Sequence, residues 1–119
     1  NRRSTRLPEA LQALPAVGRI RGADVTWRIT PAVTGAGYFL VGDAANRLDP
    51  ASSHGVLKAL MSGMQAAQAV TDGLRQPALQ TAAQAQYRQW LNAGFARDVA
   101  HLRDFYRLHP CPPSWLPAA

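Results

Sequence analysis

The clearest pattern along the chain is a helical spacing of apolar residues in its second half. Between residues 55 and 74, apolar or small side chains recur every three or four positions, which predicts an amphipathic helix. Pro77 interrupts this pattern, and a second helix is predicted from Ala78 to Leu108. The apolar stripe of the second helix is rich in aromatic residues, which is typical of a core or an interface. Its aromatic members are Tyr87, Trp90, Phe95 and Tyr106.

Two shorter segments have the patterns of β-strands. Residues 25 to 30 alternate apolar and polar side chains, which predicts a half-buried strand. Residues 38 to 41 form an unbroken apolar run bounded by glycines, as in a strand of a parallel sheet that is covered on both faces. A further short helix is predicted over residues 7 to 15.

Residues 42 to 54 are mostly small or polar and predict a long ordered loop after the apolar strand. Loops at the carboxyl ends of buried strands are common ligand sites in α/β proteins. Ser52 or Ser53 is expected to cap the helix that follows. One core strand, one weaker strand and two long helices do not close a sheet. We therefore expect an α/β fragment whose missing neighbours come from an upstream half or from another chain.

Composition narrows the function classes only modestly. The chain has 119 residues, 47% of them hydrophobic, and no apolar run long enough to span a membrane. Its net charge of +6 comes from arginines spread along the chain, with Lys58 as the single lysine, so a nucleic-acid partner is not expected. The single cysteine, Cys111, and the lack of a secretory signal favour a reducing, cytoplasmic location. No spacing suited to a metal is present.

The most informative stretch runs from the apolar strand into the first long helix. The strand delivers the Asp43 carboxylate at its end, where it can accept hydrogen bonds from sugar-type hydroxyls. Small residues then allow a ligand to lie against the backbone. The helix begins with free amides near Gly55 and Val56, which favour negative charge or electron-rich oxygen. This arrangement suits a polyol joined to an electron-rich heterocycle.

These residues are similar to the second FAD-contacting motif of the aromatic-hydroxylase superfamily, which includes flavin monooxygenases and flavin-dependent halogenases. The shared features are the apolar strand, Gly-Asp-Ala-Ala at residues 42 to 45, Asp49-Pro50, and the small-residue turn of residues 52 to 55. The turn and the Lys58-Ala59-Leu60 that follow it look closer to halogenase-like and amine-oxidase-maturation flavoproteins than to phenol hydroxylases.

The resemblance implies a set of FAD-binding residues. Asp43 would accept from a ribityl hydroxyl, and Pro50 would lie beside the isoalloxazine ring. The amides of Val56 and Leu57 would face the ring and stabilise negative charge on its reduced form. The complete set of predicted cofactor-binding residues is Gly42, Asp43, Ala44, Pro50, Ser53, His54, Gly55, Val56 and Leu57.

The resemblance also implies a domain organisation. Residues 1 to 35 would end a substrate-side region, and residues 36 to 75 would form the second half of an FAD-binding, Rossmann-like domain. Residues 76 to 119 would form the C-terminal amphipathic helix and a proline-rich tail. The longer parent is expected to be a monooxygenase acting through a flavin hydroperoxide, with NAD(P)H or a flavin reductase as electron source. Its substrate would be a small aromatic or a protein-derived residue.

Two alternatives stay open: a flavin-dependent halogenase, and a truncated, non-enzymatic module that binds partners through the aromatic stripe. Asn46 stands where many relatives have histidine, and Ser52 stands where halogenases usually have an aromatic residue. The Gly-x-Gly-x-x-Gly unit for the ADP half of FAD and the segment with a halogenase's catalytic lysine are absent from this sequence. The chain alone is therefore expected to be inactive, and its sequence identifies no catalytic residue, although His54 is a possible acid or base.

Overall fold

The computed structural model describes residues 10, 14, 15, 17 to 19 and 21 to 116. The described part is a small α/β arrangement with two short sheets and two long helices. Its strands are β1 (Arg28–Ile29), β2 (Thr34–Gly35), β3 (Tyr38–Phe39) and β4 (Asn46–Arg47), and its helices are α1 (Gly55–Arg75) and α2 (Gln80–Arg107). Single 3-10 turns occur at Gly42–Ala44, Pro50–Ser52 and Pro77–Leu79. The short helix predicted over residues 7 to 15 lies largely outside the described residues.

The two long helices confirm the predictions made from apolar spacing. Helix α1 begins at the predicted residue and ends one residue later than predicted, and Gln76-Pro77 then separates it from α2. Helix α2 begins after the 3-10 turn and ends one residue before the predicted end. None of the described helices is both long enough and apolar enough to cross a membrane.

The strands differ from their predictions. Strand β1 covers only two of the six predicted residues and pairs antiparallel with β4. The apolar run yields the two-residue β3, which pairs antiparallel with β2 across a tight turn, where Gly37 has a φ of 76°. Tyr38 and Val41 are exposed. The expectation of a parallel strand covered on both faces is therefore wrong for the described residues, because β3 has a hairpin partner on one edge and no covering layer over Tyr38.

The core lies where α2 crosses the small sheets and α1. Its buried members are Val33, Ala45, Ala66, Tyr87 and Leu91. The Tyr87 hydroxyl donates to the Leu40 carbonyl at 2.7 Å, so α2 is joined to the backbone just after β3. Burial raises the pKa of the Tyr87 phenol. Since the stripe of α2 supplies two of the five core residues, the prediction of a core-forming face on this helix is confirmed.

Helix α1 uses an unexpected face for packing. Its buried residues are Ser62, Ala66 and Ala69, which lie one turn apart along one side. The large apolar residues that predicted the helix are exposed instead, with Leu60 at 63% and Met64 at 73%. Small side chains allow two helices to approach closely, because the distance between helix axes depends on the residues in contact.

Candidate functional site

A groove lies between the loop of residues 42 to 54 and the beginning of α1. We call it the loop groove; its volume is about 360 Å³, within the roughly 300–1,000 Å³ of small-molecule sites. Among the predicted cofactor-binding residues, six line it: Gly42, Asp43, Pro50, Ser53, Gly55 and Val56. The other lining residues are Asn46, Leu48, Asp49, Ser52 and Lys58.

Three predicted site residues lie outside the lining of the loop groove. The Ala44 carbonyl accepts a hydrogen bond from the Thr30 hydroxyl at 2.8 Å, which ties it to the chain after β1. His54 lines a separate groove on the α2 side. The Leu57 side chain is 52% exposed. The exposure of the Leu57 side chain does not test the role predicted for its backbone amide, which stays a prediction.

The Gly42 end of the loop is held against α1. The Gly42 amide donates to the Ser62 hydroxyl at 2.9 Å, and that hydroxyl donates in turn to the Ala59 carbonyl at 3.0 Å. Gly42 has a left-handed φ of 56°, and a Cβ on it would lie 3.2 Å from the Ala59 Cβ. Both the left-handed backbone and the close packing on α1 therefore favour glycine here.

The Asp49 end of the loop is held by α2. The Tyr106 hydroxyl donates to Asp49 Oδ2 at 2.6 Å, and the Ala51 amide donates to Asp49 Oδ1 at 2.8 Å. Burial acts to raise the pKa of the Asp49 carboxyl, but hydrogen bonds from Tyr106, Ala51 and Trp27 lower it below its ordinary value. The bond to Asp49 is the main cause that raises the pKa of the Tyr106 phenol. Asp49 thus shapes the turn that presents Pro50.

An aromatic cluster supports the bond between Tyr106 and Asp49. The ring of Trp27 lies 6.0 Å from that of Tyr106 and 5.3 Å from that of Trp115, and the rings of Tyr106 and Trp115 are 5.6 Å apart. One of these contacts is tilted and the other two are edge-to-face, which is a favourable arrangement for aromatic pairs. Trp27 therefore packs against the C-terminal region.

The beginning of α1 leaves backbone donors available to a ligand. The residue before α1 is His54, and no side chain among the described residues caps the helix there. The prediction that Ser52 or Ser53 caps it is wrong, because Ser52 ends the preceding 3-10 turn and Ser53 follows with a left-handed φ of 53°. The amides of the first helical turn have no partner within the helix, so the N-terminus of α1 at the groove can donate to an electron-rich group.

Lys58 completes the wall between the two grooves. Its Nζ lies 3.0 Å from Asp98 Oδ2 on α2, in an ion pair that is largely shielded from solvent. No local sequence pattern indicated this ion pair, because Asp98 lies 40 residues away along the chain. Ser62 and Tyr106, the two side chains that hold the loop, also carried no sequence signal of that role.

Comparison with known proteins finds one partial relative and no matching family model or solved structure. The chain is 36% identical over 88 residues to a 1H-pyrrole-2-carbonyl-[peptidyl-carrier protein] brominase of Pseudoalteromonas luteoviolacea. The match covers 74% of this chain and 21% of the brominase, so the chain spans about a fifth of the length of that relative. A halogenating relative agrees at a coarse level with the resemblance to flavin-dependent oxidoreductases, and it favours the halogenase alternative over a general monooxygenase.

Proposed function

We propose that this chain supplies the cofactor-facing part of a flavin-dependent halogenase. The observation that carries the proposal is the loop groove, where an exposed carboxylate, a proline turn and an uncapped helix start line one cavity. The similarity to a brominase supports halogenation rather than hydroxylation as the reaction. The placement of the loop groove within a Rossmann-like FAD domain is part of the proposal.

The loop groove fits the ribityl and ring half of FAD in its donors and acceptors. Asp43 is exposed at the groove and can accept from a ribityl hydroxyl. The first amides of α1, at Gly55 and Val56, can donate to the electron-rich edge of the ring. Pro50, fixed by the bonds of Asp49, offers an apolar surface to a ring face. When bound, FAD would supply the redox chemistry, and the described residues would bind and orient it and stabilise its negative charge.

The substrate in this proposal is a heteroaromatic acyl group on a carrier protein. This substrate class is inferred from the relative, which is a brominase of a pyrrole-2-carbonyl group held by a peptidyl-carrier protein. Electrons would come from NAD(P)H or from a flavin reductase. The monooxygenase reading remains the nearest rival, because both reactions use the same cofactor. Product analysis with and without bromide separates them, since a monooxygenase forms its hydroxylated product without halide.

The test of cofactor binding is the flavin content of the full-length gene product. Asp43→Ala should weaken FAD binding roughly 10- to 100-fold, because a hydrogen bond to a charged group contributes about 1.5–3 kcal/mol. Asp104→Ala is the matched control, since Asp104 is an exposed carboxylate that pairs with Arg107 on α2. Unchanged flavin content in Asp43→Ala, or a purified full-length protein that takes up no FAD, would overturn the proposal.

The second candidate function is an interaction module without catalysis, and the exposed surfaces of α1 and α2 show where a partner could bind. The sequence suggested that partners would bind the aromatic stripe of α2, but Tyr87 is buried and Tyr106 is engaged with Asp49. The exposed apolar face lies on α1 instead, and includes Val56, Leu60, Met64 and Leu74. Apolar faces of this kind mark contacts with other protein surfaces. A full-length protein that takes up no flavin but still exposes this apolar face of α1 would favour the interaction module.

A further inference from the structure

The C-terminal tail returns to the loop and brings Trp115 with it. The tail after α2, residues 108 to 116, contains three prolines, whose fixed φ angles restrict the paths that it can take. The Leu116 amide donates to the Pro113 carbonyl at 3.0 Å, so Trp115 lies within a closed turn. Local structure in the tail therefore holds the Trp115 ring in one place.

Trp115 contacts both aromatic side chains that lie beside the Asp49 carboxylate. Its ring is 5.3 Å from that of Trp27 and 5.6 Å from that of Tyr106, and both contacts are edge-to-face. The Trp27 and Tyr106 rings are 6.0 Å apart, so the three rings form a closed set of contacts. Because edge-to-face pairs favour particular orientations, Trp115 limits the positions open to the Tyr106 ring. The hydroxyl of that ring donates to Asp49 Oδ2 at 2.6 Å.

Asp49 transmits this constraint to the loop groove. Its Oδ1 accepts from the Ala51 amide at 2.8 Å, at the start of the 3-10 turn Pro50–Ser52. Since one carboxylate accepts both bonds, the Tyr106 hydroxyl helps to orient the group that shapes the turn. Asp49 lines the loop groove, whereas Trp115 lines a different groove of about 660 Å³ that Asp49 also lines. Trp115 therefore acts on the loop groove through Asp49.

We propose that Trp115 is a positioning residue of the flavin site: it holds Tyr106 against Asp49 and thereby fixes the turn that presents Pro50 to the flavin ring. The inference rests on the proposed function, which supplies the flavin that this turn would face. The Trp115 side chain is 56% exposed and lies outside the buried core. Its removal should therefore change the turn more than it changes the fold.

The first test is the affinity of the full-length gene product for FAD. Trp115→Ala should weaken FAD binding about three- to tenfold, because it removes two edge-to-face contacts that hold the cluster around Asp49. Trp115→Phe keeps an aromatic ring at this position and should retain most of the affinity. Leu108→Ala is the matched control, since Leu108 is an apolar residue of the same tail that is 82% exposed, and it should bind FAD as the wild type does.

A double-mutant cycle separates positioning through Tyr106 from a general structural role. In the Tyr106→Phe background the bond to Asp49 is already lost, so adding Trp115→Ala should weaken FAD binding by less than about twofold. Circular dichroism checks the fold of each variant. An equal loss of affinity in both backgrounds would overturn the proposal, since Trp115 would then act by a route other than the Tyr106 bond.

Titration of Asp49 in the chain without FAD distinguishes failure of this inference from failure of the proposed function. Burial acts to raise the pKa of Asp49, and the Tyr106 hydrogen bond is the largest of the causes that lower it below its ordinary 3.8. Trp115→Ala should therefore raise the pKa of Asp49 toward 3.8, as measured by carboxyl NMR, and Leu108→Ala should leave it unchanged.

An unchanged pKa of Asp49 in Trp115→Ala would overturn the positioning role. A raised pKa, together with a full-length protein that takes up no FAD, would support the hold of Trp115 on Asp49 and overturn the assignment of a flavin function. A raised pKa with weakened FAD binding is the result that the proposal expects.

Discussion

The two ends of the loop are held by different helices and by different kinds of contact. At the first end, Gly42 is held on α1 by a neutral hydrogen bond to Ser62, and a side chain added at Gly42 would crowd Ala59. At the second end, Asp49 is bound to α2 through a charge-assisted bond from Tyr106. At the Gly42 end, the free energy of unfolding should therefore depend on side-chain volume and not on pH. At the Asp49 end, it should depend on pH.

The largest expected effect is at the Gly42 end. Gly42→Val should lower the free energy of unfolding by about 2–4 kcal/mol, because left-handed backbone strain and overpacking against Ala59 each cost about 1–3 kcal/mol. Gly63→Ala is the matched control on α1, where an added Cβ meets nothing within 4 Å and should stabilise the helix by about 0.5–1 kcal/mol. Urea unfolding measures both; equal stabilities would contradict the close packing.

A smaller loss is expected when the hydrogen-bond partner of Gly42 is removed. Ser62 is 3% exposed, and Ser62→Ala should cost about 1–2 kcal/mol because it leaves the Gly42 amide without its acceptor. Thr71→Ala tests the specificity of this loss, since the Thr71 hydroxyl donates to the Ala67 carbonyl within the same helix. It should change the unfolding free energy by less than about 0.5 kcal/mol. A comparable loss in both variants would mean that the Ser62 bond does not hold the loop.

At the Asp49 end, Tyr106→Phe should cost about 1 kcal/mol near neutral pH. The change removes one bond to a partly exposed carboxylate and keeps the aromatic contacts with Trp27 and Trp115. Tyr38→Phe is the control, because the Tyr38 hydroxyl makes only a long, exposed bond of 3.4 Å to the Ala32 carbonyl. Equal unfolding free energies for Tyr106→Phe and the wild type would contradict the anchoring role of Tyr106.

The smallest expected effect is the pH dependence of the difference in unfolding free energy between wild type and Tyr106→Phe. The folded pKa of Asp49 lies below its ordinary 3.8, so its stabilisation is present above pH 3.8 and is lost as pH falls through the folded pKa. The folded pKa of Tyr106 lies above its ordinary 10.0, so its stabilisation is present below pH 10.0 and is lost as pH rises through the folded pKa. The stability gap between wild type and Tyr106→Phe should be widest between pH 3.8 and pH 10.0 and should narrow beyond either limit, whereas the gap for Ser62→Ala should show no such narrowing.

Local patterns predicted the two long helices well, but the predicted loop of residues 42 to 54 contains strand β4 and two 3-10 turns. Long-range contacts explain what the patterns missed. Apolar spacing and Pro77 are properties of neighbouring residues, so the bounds of α1 and α2 followed from them. The partners of the loop lie far along the chain: Ser62 is 20 residues from Gly42, and Tyr106 is 57 residues from Asp49. No periodicity connects such residues, because only the crossing of the helices brings them together. The capping prediction failed for a local reason, since the 3-10 turn places Ser53 outside the cap position.

The sequence by itself determined the two long helices and the residue types of the candidate site, because these depend on local periodicity and turn chemistry. Tertiary structure alone decided which face of α1 is buried. Close approach to α2 and to Gly42 favours the small residues Ser62, Ala66 and Ala69, so the larger apolar residues remain outside. It also decided that Lys58 meets Asp98, and that the two grooves share a wall. Both results require side chains that are distant in sequence to meet at one helix crossing.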